Sequence, residues 1–166
     1  MAIADPPLRA LQERLKGSRR VAVVGIGDEL IPPDRPGMFA ARELDRHGIP
    51  GVKLFLAGTV PESITGPLRR FQPRHVLFLD AADMGARPGT IAVIDPEQIQ
   101  ASLVSTHVLP LSVVMEYVRQ ETGAGVTLLG IQPDPGPDND LSEADRDFLK
   151  RNLEMLLQVL RDREVT

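Results

Sequence analysis

Residues 75–90 read HVLFLDAADMGARPGT, and this stretch indicates how the chain folds. Its first five residues, His75 to Leu79, form an apolar run with the length and composition of a buried parallel strand. One acid, Asp80, follows at once, and a second acid comes at Asp83. Because ligands of α/β proteins bind at the carboxyl ends of the parallel strands, an acid in this position is a candidate for a functional site.

Apolar runs and helical periodicities alternate on both sides of this strand. Further strands are predicted at 20–25, 52–56, 90–94 (antiparallel to its neighbour) and 126–131, and helices at 7–16, 38–47, 62–71, 96–103, 110–120 and 142–161. Ser142 and Asp145 resemble the capping box that opens such a helix. Strands that alternate with helices predict an α/β fold, a three-layer α/β/α sandwich of phosphorylase/hydrolase-like type with a mainly parallel mixed sheet. We expect residues 1–166 to form a single domain.

The composition narrows the classes of function. The chain has no cysteine, which excludes disulfides, a thiolate nucleophile and Cys-type zinc sites. Its net charge of −4 argues against non-specific binding to nucleic acid or to an anionic membrane. The sequence lacks both the apolar segment of a signal peptide and an apolar run near the roughly 18 residues of a membrane span. We therefore expect a cytoplasmic protein with no nucleic-acid or membrane partner.

Three potential metal ligands lie near the predicted ends of parallel strands. Asp34 lies in the loop after the first strand, Asp80 ends the third, and His107 precedes the helix that starts near Pro110. Right-handed crossovers bring the carboxyl ends of such strands to one edge of the sheet, so the three side chains can converge. Two carboxylates and one imidazole suit Zn, Ni or Fe better than Ca or Mg. Three protein ligands leave a coordination position open for water or substrate.

Structural roles are the alternative for each of these residues. An aspartate at a strand end often caps a helix or forms a turn, which leaves Asp80 open to that interpretation. His107 can equally bond backbone carbonyls, and Asp83 can stabilise its own turn. His75, at a strand entrance, and His47, at a helix end where a cation is favourable, are interpreted as structural or surface residues.

Five short motifs follow one another within residues 20–135. They are VGIGDEL at 24–30, GTVPES at 58–63, DAADMG at 80–85 with Pro88 and Gly89, Thr106-His107 with Pro110-Leu111, and GIQP at 130–133. In this order and spacing they resemble the maturation proteases of nickel-iron hydrogenases. The resemblance is greatest to the branch that serves hydrogenase 3, the formate-hydrogenlyase type. The helix at 7–16 lies outside the resemblance, and the helix at 142–161 follows it.

The resemblance implies an endopeptidase that removes a short C-terminal extension from the hydrogenase large-subunit precursor after nickel insertion. Asp34, Asp80 and His107 match the two acids and the histidine that bind metal in that family. Catalysis has no firmly assigned residue, although Asp34 and Asp80 are the candidates for an aspartyl-type activity. Nickel is expected to be presented by the substrate, and the isolated protein to bind another divalent metal such as Zn or Cd.

The chain departs from the family pattern at two places. The loop around Asp34 reads PPDRPG at 32–37, without the glycines and the first aspartate of the family's Gly-Asp-Asp-Gly loop, and proline makes it stiff. The segment at 55–58, FLAG, lacks an acid that many members carry before the glycines. These departures leave a second hypothesis open, a non-catalytic metal- or subunit-binding chaperone on the same fold. A third is a metal-dependent hydrolase of another peptide or small amide.

Overall fold

The computed structural model describes residues 6–95 and 110–164. Its strands are β1 (Val21–Ile26), β2 (Val52–Gly58), β3 (His75–Ala81), β4 (Ile91–Ile94) and β5 (Gly125–Ile131). Its α-helices are α1 (Pro6–Leu15), α2 (Pro36–Asp45), α3 (Thr65–Phe71), α4 (Leu111–Thr122) and α5 (Glu143–Asp162), with 3₁₀ turns at Pro32–Asp34 and Pro61–Ile64. The helix predicted at 96–103 lies outside the described residues, as does His107.

The strands form one mixed sheet in the order β2-β1-β3-β5-β4. The pairs β1–β2, β1–β3 and β3–β5 are parallel, and β4 runs antiparallel to β5, which confirms both predictions about strand direction. The chain leaves β1 for β2 on one side and then crosses back to β3 on the other side. The order therefore reverses between β1 and β3, and a crevice at the carboxyl ends of these two strands is where such sheets bind ligands.

Helices cover both faces of the sheet, as a three-layer sandwich requires. Residues of α1, α2 and α5 share one buried apolar cluster with one face, and residues of α3 and α4 share a second cluster with the other. All seven residues of β3 are buried, because this strand lies in the centre. The apolar face of α1 packs on the domain through three leucines, Leu8, Leu11 and Leu15.

Helix α5 confirms its predicted cap. The Ser142 side chain accepts a hydrogen bond from the Asp145 backbone N–H at 3.1 Å. Four leucines at helical spacing then face the core, namely Leu149, Leu153, Leu156 and Leu160. The other face of α5 carries charged residues.

No helix within residues 6–95 and 110–164 is long and apolar enough to cross a membrane.

Two elements differ from the sequence-based expectation. The segment predicted as one helix at 62–71 is a 3₁₀ turn followed by α3, which keeps Pro67 within the first turn, where proline is tolerated. Strand β3 runs two residues further than predicted, so Asp80 lies inside it and not beyond its end. The extension follows from pairing with β5, where Asp80 stands opposite Gly130 and Ala81 opposite Ile131.

Candidate active site

The loop after β1 folds back over the carboxyl end of the sheet. Gly27 has φ +139°, and a side chain there would collide with the backbone carbonyl oxygen of Asp34. The Gly27 N–H also donates to the carbonyl of Gly58 at 2.9 Å, which joins the ends of β1 and β2. Only glycine combines this backbone conformation with so close an approach. Gly27, at the start of the loop, therefore packs directly against the backbone of Asp34, the residue predicted as the first metal ligand.

Asp34 lies at the end of the 3₁₀ turn that follows β1 and is 2% exposed. Its backbone N–H closes the turn on the carbonyl of Ile31 at 2.9 Å, and its Oδ2 accepts from the backbone N–H of Asp28 at 2.6 Å. The two prolines before it restrict the backbone of this turn. The loop therefore holds the Asp34 carboxylate inside the protein, in an orientation set by backbone groups.

Asp80 is fully buried in the central strand. Its Oδ1 accepts from the backbone N–H of the next residue, Ala81, at 2.9 Å. The 3₁₀ turn that carries Asp34 contacts β3, so the two acids come from neighbouring elements at the carboxyl ends of β1 and β3, where the strand order reverses. Buried carboxylates in such a crevice can act as oxygen ligands of a metal or as proton acceptors.

The predicted trio is incomplete in the described part of the chain. Residues 6–95 and 110–164 contain no group of three His, Cys, Asp or Glu side chains that could hold a metal. The third predicted ligand, His107, lies outside these residues. The convergence of Asp34, Asp80 and His107 therefore stays a prediction.

A buried glutamine, Gln132, positions the turn that follows Asp80. It is 4% exposed, and its Oε1 accepts from the backbone N–H groups of Met84 at 2.6 Å and Ala86 at 3.3 Å. Its Nε2 donates to Asp83 Oδ1 at 3.2 Å, and the same oxygen accepts from the Gly85 N–H at 3.2 Å. The turn-forming role considered for Asp83 is confirmed by this contact.

Sequence reasoning quoted Gln132 only as part of a motif and missed this role. A signal was present in the sequence, because a glutamine directly continues the apolar run Leu128–Ile131. Buried polar side chains need hydrogen-bond partners, so a glutamine at the end of a buried strand points to a loop that it holds.

Charged side chains beside the Asp34 loop were also missed. Glu29 receives two hydrogen bonds from Arg42, at 3.1 and 2.7 Å, and this contact lowers the pKa of the Glu29 carboxyl. Arg35, the residue after Asp34, donates through Nε to the carbonyl of Glu29 at 2.6 Å. These bonds stiffen the outer side of the loop.

The two described histidines take the structural and surface roles expected of them. His75 begins β3, at the opposite end of the strand from Asp80, and is 6% exposed. Burial, and then the nearby Arg14 charge, lower its pKa to about 4, so it is neutral at pH 7. His47 is exposed just after α2. Neither side chain belongs to the crevice.

Comparison with known proteins connects this geometry to one family. The sequence profile of the hydrogenase maturation protease family matches residues 38–159. The hydrogenase 3 maturation protease of Escherichia coli K12 is 38% identical over 110 residues, which is 66% of this chain and 70% of that protein.

Solved structures agree with the sequence matches. The crystal structure of a NiFe hydrogenase maturation protease from Thermococcus kodakarensis KOD1 superposes with a TM-score of 0.77 at 31% identity, covering 92% of this chain and 99% of that one. The solution structure of an endopeptidase from Escherichia coli gives 0.68 at 27% identity, covering 86% and 89%. The fold, the matched residues and the two buried acids lead to one conclusion: the chain belongs to the hydrogenase maturation protease family, whose members are endopeptidases.

Proposed function

We propose that this protein is a cytoplasmic endopeptidase that removes the C-terminal extension of a nickel-loaded NiFe-hydrogenase large-subunit precursor. The observation that carries the proposal is the pair of buried carboxylates, Asp34 and Asp80, at the β1–β3 crevice of a chain in this protease family. Ligands of such sheets bind at this edge, and on this proposal the scissile bond would lie beside both acids.

Asp34, Asp80 and His107 are the residues that would recognise the nickel of the precursor. Two carboxylates and an imidazole form a ligand set that accepts Ni and, in the isolated protein, Zn or Cd. Backbone N–H groups orient both described carboxylates before any metal binds, at 2.6 Å for Asp34 and 2.9 Å for Asp80. A metal bound there would polarise the scissile carbonyl or lower the pKa of a water molecule.

The test is processing of a nickel-loaded precursor, followed by mass spectrometry of the large subunit. We expect the shortened product with the wild-type protein and a loss of rate of about 10²-fold or more for Asp34→Asn, Asp80→Asn and His107→Gln, since each removes a proton acceptor or ligand. Asp45→Asn makes the same chemical change at an exposed position of α2 and should leave the rate unchanged. Precursor without nickel should stay unprocessed.

The outcomes separate the competing hypotheses. Undiminished cleavage by Asp80→Asn and His107→Gln would remove these residues from the site. A stable complex with nickel-loaded precursor that never proceeds to cleavage would favour the chaperone hypothesis. Cleavage of unrelated peptides at a similar rate would favour a general hydrolase.

A further inference from the structure

A pocket of about 370 Å³ opens beside the candidate active site. One wall is formed by the loop after β1 and by α2. The opposite wall is formed by the segment that leads into α5 and by the first turn of that helix. Phe39 and Leu141 contribute apolar surface, and three arginines contribute charge, namely Arg35, Arg42 and Arg146. The pocket has the apolar wall and the few polar groups that are typical of a ligand site.

The charge in this pocket is unbalanced. Three arginines face two acids, Glu29 and Asp140, which leaves one positive charge in excess in a chain whose net charge is −4. Arg42 and Glu29 pair with each other through two hydrogen bonds at 3.1 and 2.7 Å. The excess positive charge therefore belongs to Arg35 and Arg146, which share the single carboxylate of Asp140.

Asp140 is shared by two guanidinium groups. Its Oδ2 lies 2.9 Å from Arg35 Nη1 and 3.5 Å from Arg146 Nη2, and its Oδ1 accepts from the Leu141 N–H at 2.8 Å. The three charged side chains are between 37% and 42% exposed. Ion pairs this exposed contribute little to stability, so an incoming carboxylate can share or replace Asp140 at small cost. Guanidinium groups suit such a ligand because their N–H groups match the geometry of a carboxylate.

Arg35 joins the pocket to the candidate active site. It follows Asp34 directly, so the two Cα atoms are about 3.8 Å apart. The Asp34 carboxylate bonds inward to Asp28 N–H, whereas Arg35 bonds to the Glu29 carbonyl and to Asp140. The wall of the pocket at Arg35 is therefore one residue along the chain from Asp34, which brings the pocket next to the candidate active site.

We propose that this pocket binds a carboxylate of the peptide to be cleaved, either an acidic side chain or the terminal carboxylate of the extension. The pocket then acts as a site that binds the extension by this carboxylate and aligns it beside Asp34 and Asp80. The identity of the peptide rests on the proposed function, but carboxylate binding does not.

The test measures binding without cleavage and without metal. The ¹⁵N-labelled protein is titrated with three capped tripeptides, acetyl-Gly-Glu-Gly-amide, acetyl-Gly-Gly-Gly with a free carboxylate, and acetyl-Gly-Gln-Gly-amide. At least one acidic peptide should shift the Nε–Hε signals of Arg35 and Arg146 saturably, with a Kd of about 1–10 mM. Which of the two acidic peptides binds identifies the source of the carboxylate. The neutral glutamine peptide should give no saturable shift.

Variants of one helix supply the control. Arg146→Gln should weaken binding of the acidic peptide about two- to fivefold, the loss expected for one exposed ion pair. Arg161→Gln makes the same change on the exposed surface near the end of α5 and should bind like wild type. Equal shifts with the glutamine and glutamate peptides, or binding unaffected by Arg146→Gln, would overturn the proposal.

The two proposals can fail separately. Peptide binding at the arginines without processing of precursor would leave the pocket in place and refute the endopeptidase. Processing of precursor without selective peptide binding would support the endopeptidase and refute the carboxylate site.

Discussion

At the scale of single residues, His75 shows how a titratable side chain is kept neutral inside the sheet. Its Nε2 lies 2.9 Å from the hydroxyl oxygen of Thr127, which also accepts from Arg14 Nη1 at 3.1 Å. The threonine hydroxyl can therefore donate its own proton to a neutral imidazole. A charged imidazole would be buried away from water and would stand near the Arg14 charge, which is why the pKa falls to about 4.

The pKa of His75 predicts a dependence of stability on pH. Between pH 6.5 and about 4 the unfolded chain binds a proton at His75 and the folded protein does not. The stabilisation from the neutral residue is therefore complete above pH 6.5 and is lost as the pH falls towards 4. The total is about 3 kcal/mol. Urea unfolding from pH 4 to 8 measures it, by comparison of wild type with His75→Gln.

The difference between the two proteins isolates His75 from the carboxyl groups that titrate in the same range. His47→Gln, at an exposed position, should keep the wild-type dependence on pH. If His75→Gln has the same dependence as wild type, the folded histidine titrates normally and the interpretation is wrong.

At the scale of elements, the contact of α2 with the sheet positions the Asp34 loop. A Cβ atom at Gly37 would collide with the carbonyl of Ile26, lie 2.5 Å from the carbonyl oxygen of Leu79 and lie 3.1 Å from the Cα of Asp80. All three neighbours are backbone atoms, which cannot turn aside as a side chain can. The absence of a side chain at Gly37 lets the first turn of α2 lie across the ends of β1 and β3.

Gly37→Ala should therefore affect both stability and function. The added methyl group pushes α2 away from the sheet, at a cost of about 1–3 kcal/mol in the free energy of unfolding. Because only Arg35 separates Asp34 from the start of α2, the Asp34 carboxylate should move relative to Asp80, and the rate of precursor processing should fall. Urea unfolding and the processing assay measure the two effects.

Gly66→Ala is the matched control in another helix. A Cβ there has only the end of the Arg70 side chain nearby, at 3.6 Å, so the change should be neutral or slightly stabilising in α3. Equal effects of the two substitutions would show that helix propensity, and not the contact with the sheet, accounts for the result at Gly37.

At the scale of the whole molecule, one arginine connects the end of α5 to the segments that precede β1 and β2. Arg163 is 4% exposed and donates to the carbonyls of Ser18 at 2.8 Å, Arg19 at 2.9 Å, Pro50 at 2.6 Å and Leu160 at 2.7 Å. Its guanidinium is therefore surrounded by carbonyl oxygens from the end of α5 and from the segments that precede β1 and β2.

Arg163→Met should destabilise the protein by about 3 kcal/mol or more. The substitution removes the donor from two buried carbonyls, those of Ser18 and Leu160, and from two partly buried ones. Hydrogen bonds from a charged group are worth about 1.5–3 kcal/mol each. Arg161→Met removes an arginine of the same helix from an exposed position and should change the free energy of unfolding by less than about 0.5 kcal/mol. Thermal and urea unfolding measure both. Similar losses for the two variants would contradict the structural role of Arg163.

Much of this architecture could be predicted because it depends on local pattern. The apolar runs in the sequence predicted the five strands, and the leucine periodicity predicted α5. Asp80 was identified as a candidate because it follows the third apolar run. The placement of Asp80 was wrong by a small step, since the end of a strand depends on its partner, and β5 extends the pairing to Ala81. The assignment of His107 stays a prediction.

Local patterns were sufficient to predict the class of fold and the family, because periodicity and motif order are properties of neighbouring residues. The same patterns selected Asp34 and Asp80 as candidate site residues. Three contacts depend instead on the tertiary structure: Gln132 with the turn after Asp80, Arg35 with Asp140, and Arg163 with the carbonyl of Ser18. These last two contacts join residues 105 and 145 positions apart. Such pairs are brought together by the order of the strands and the packing of helices on them, so no local sequence pattern predicts these contacts.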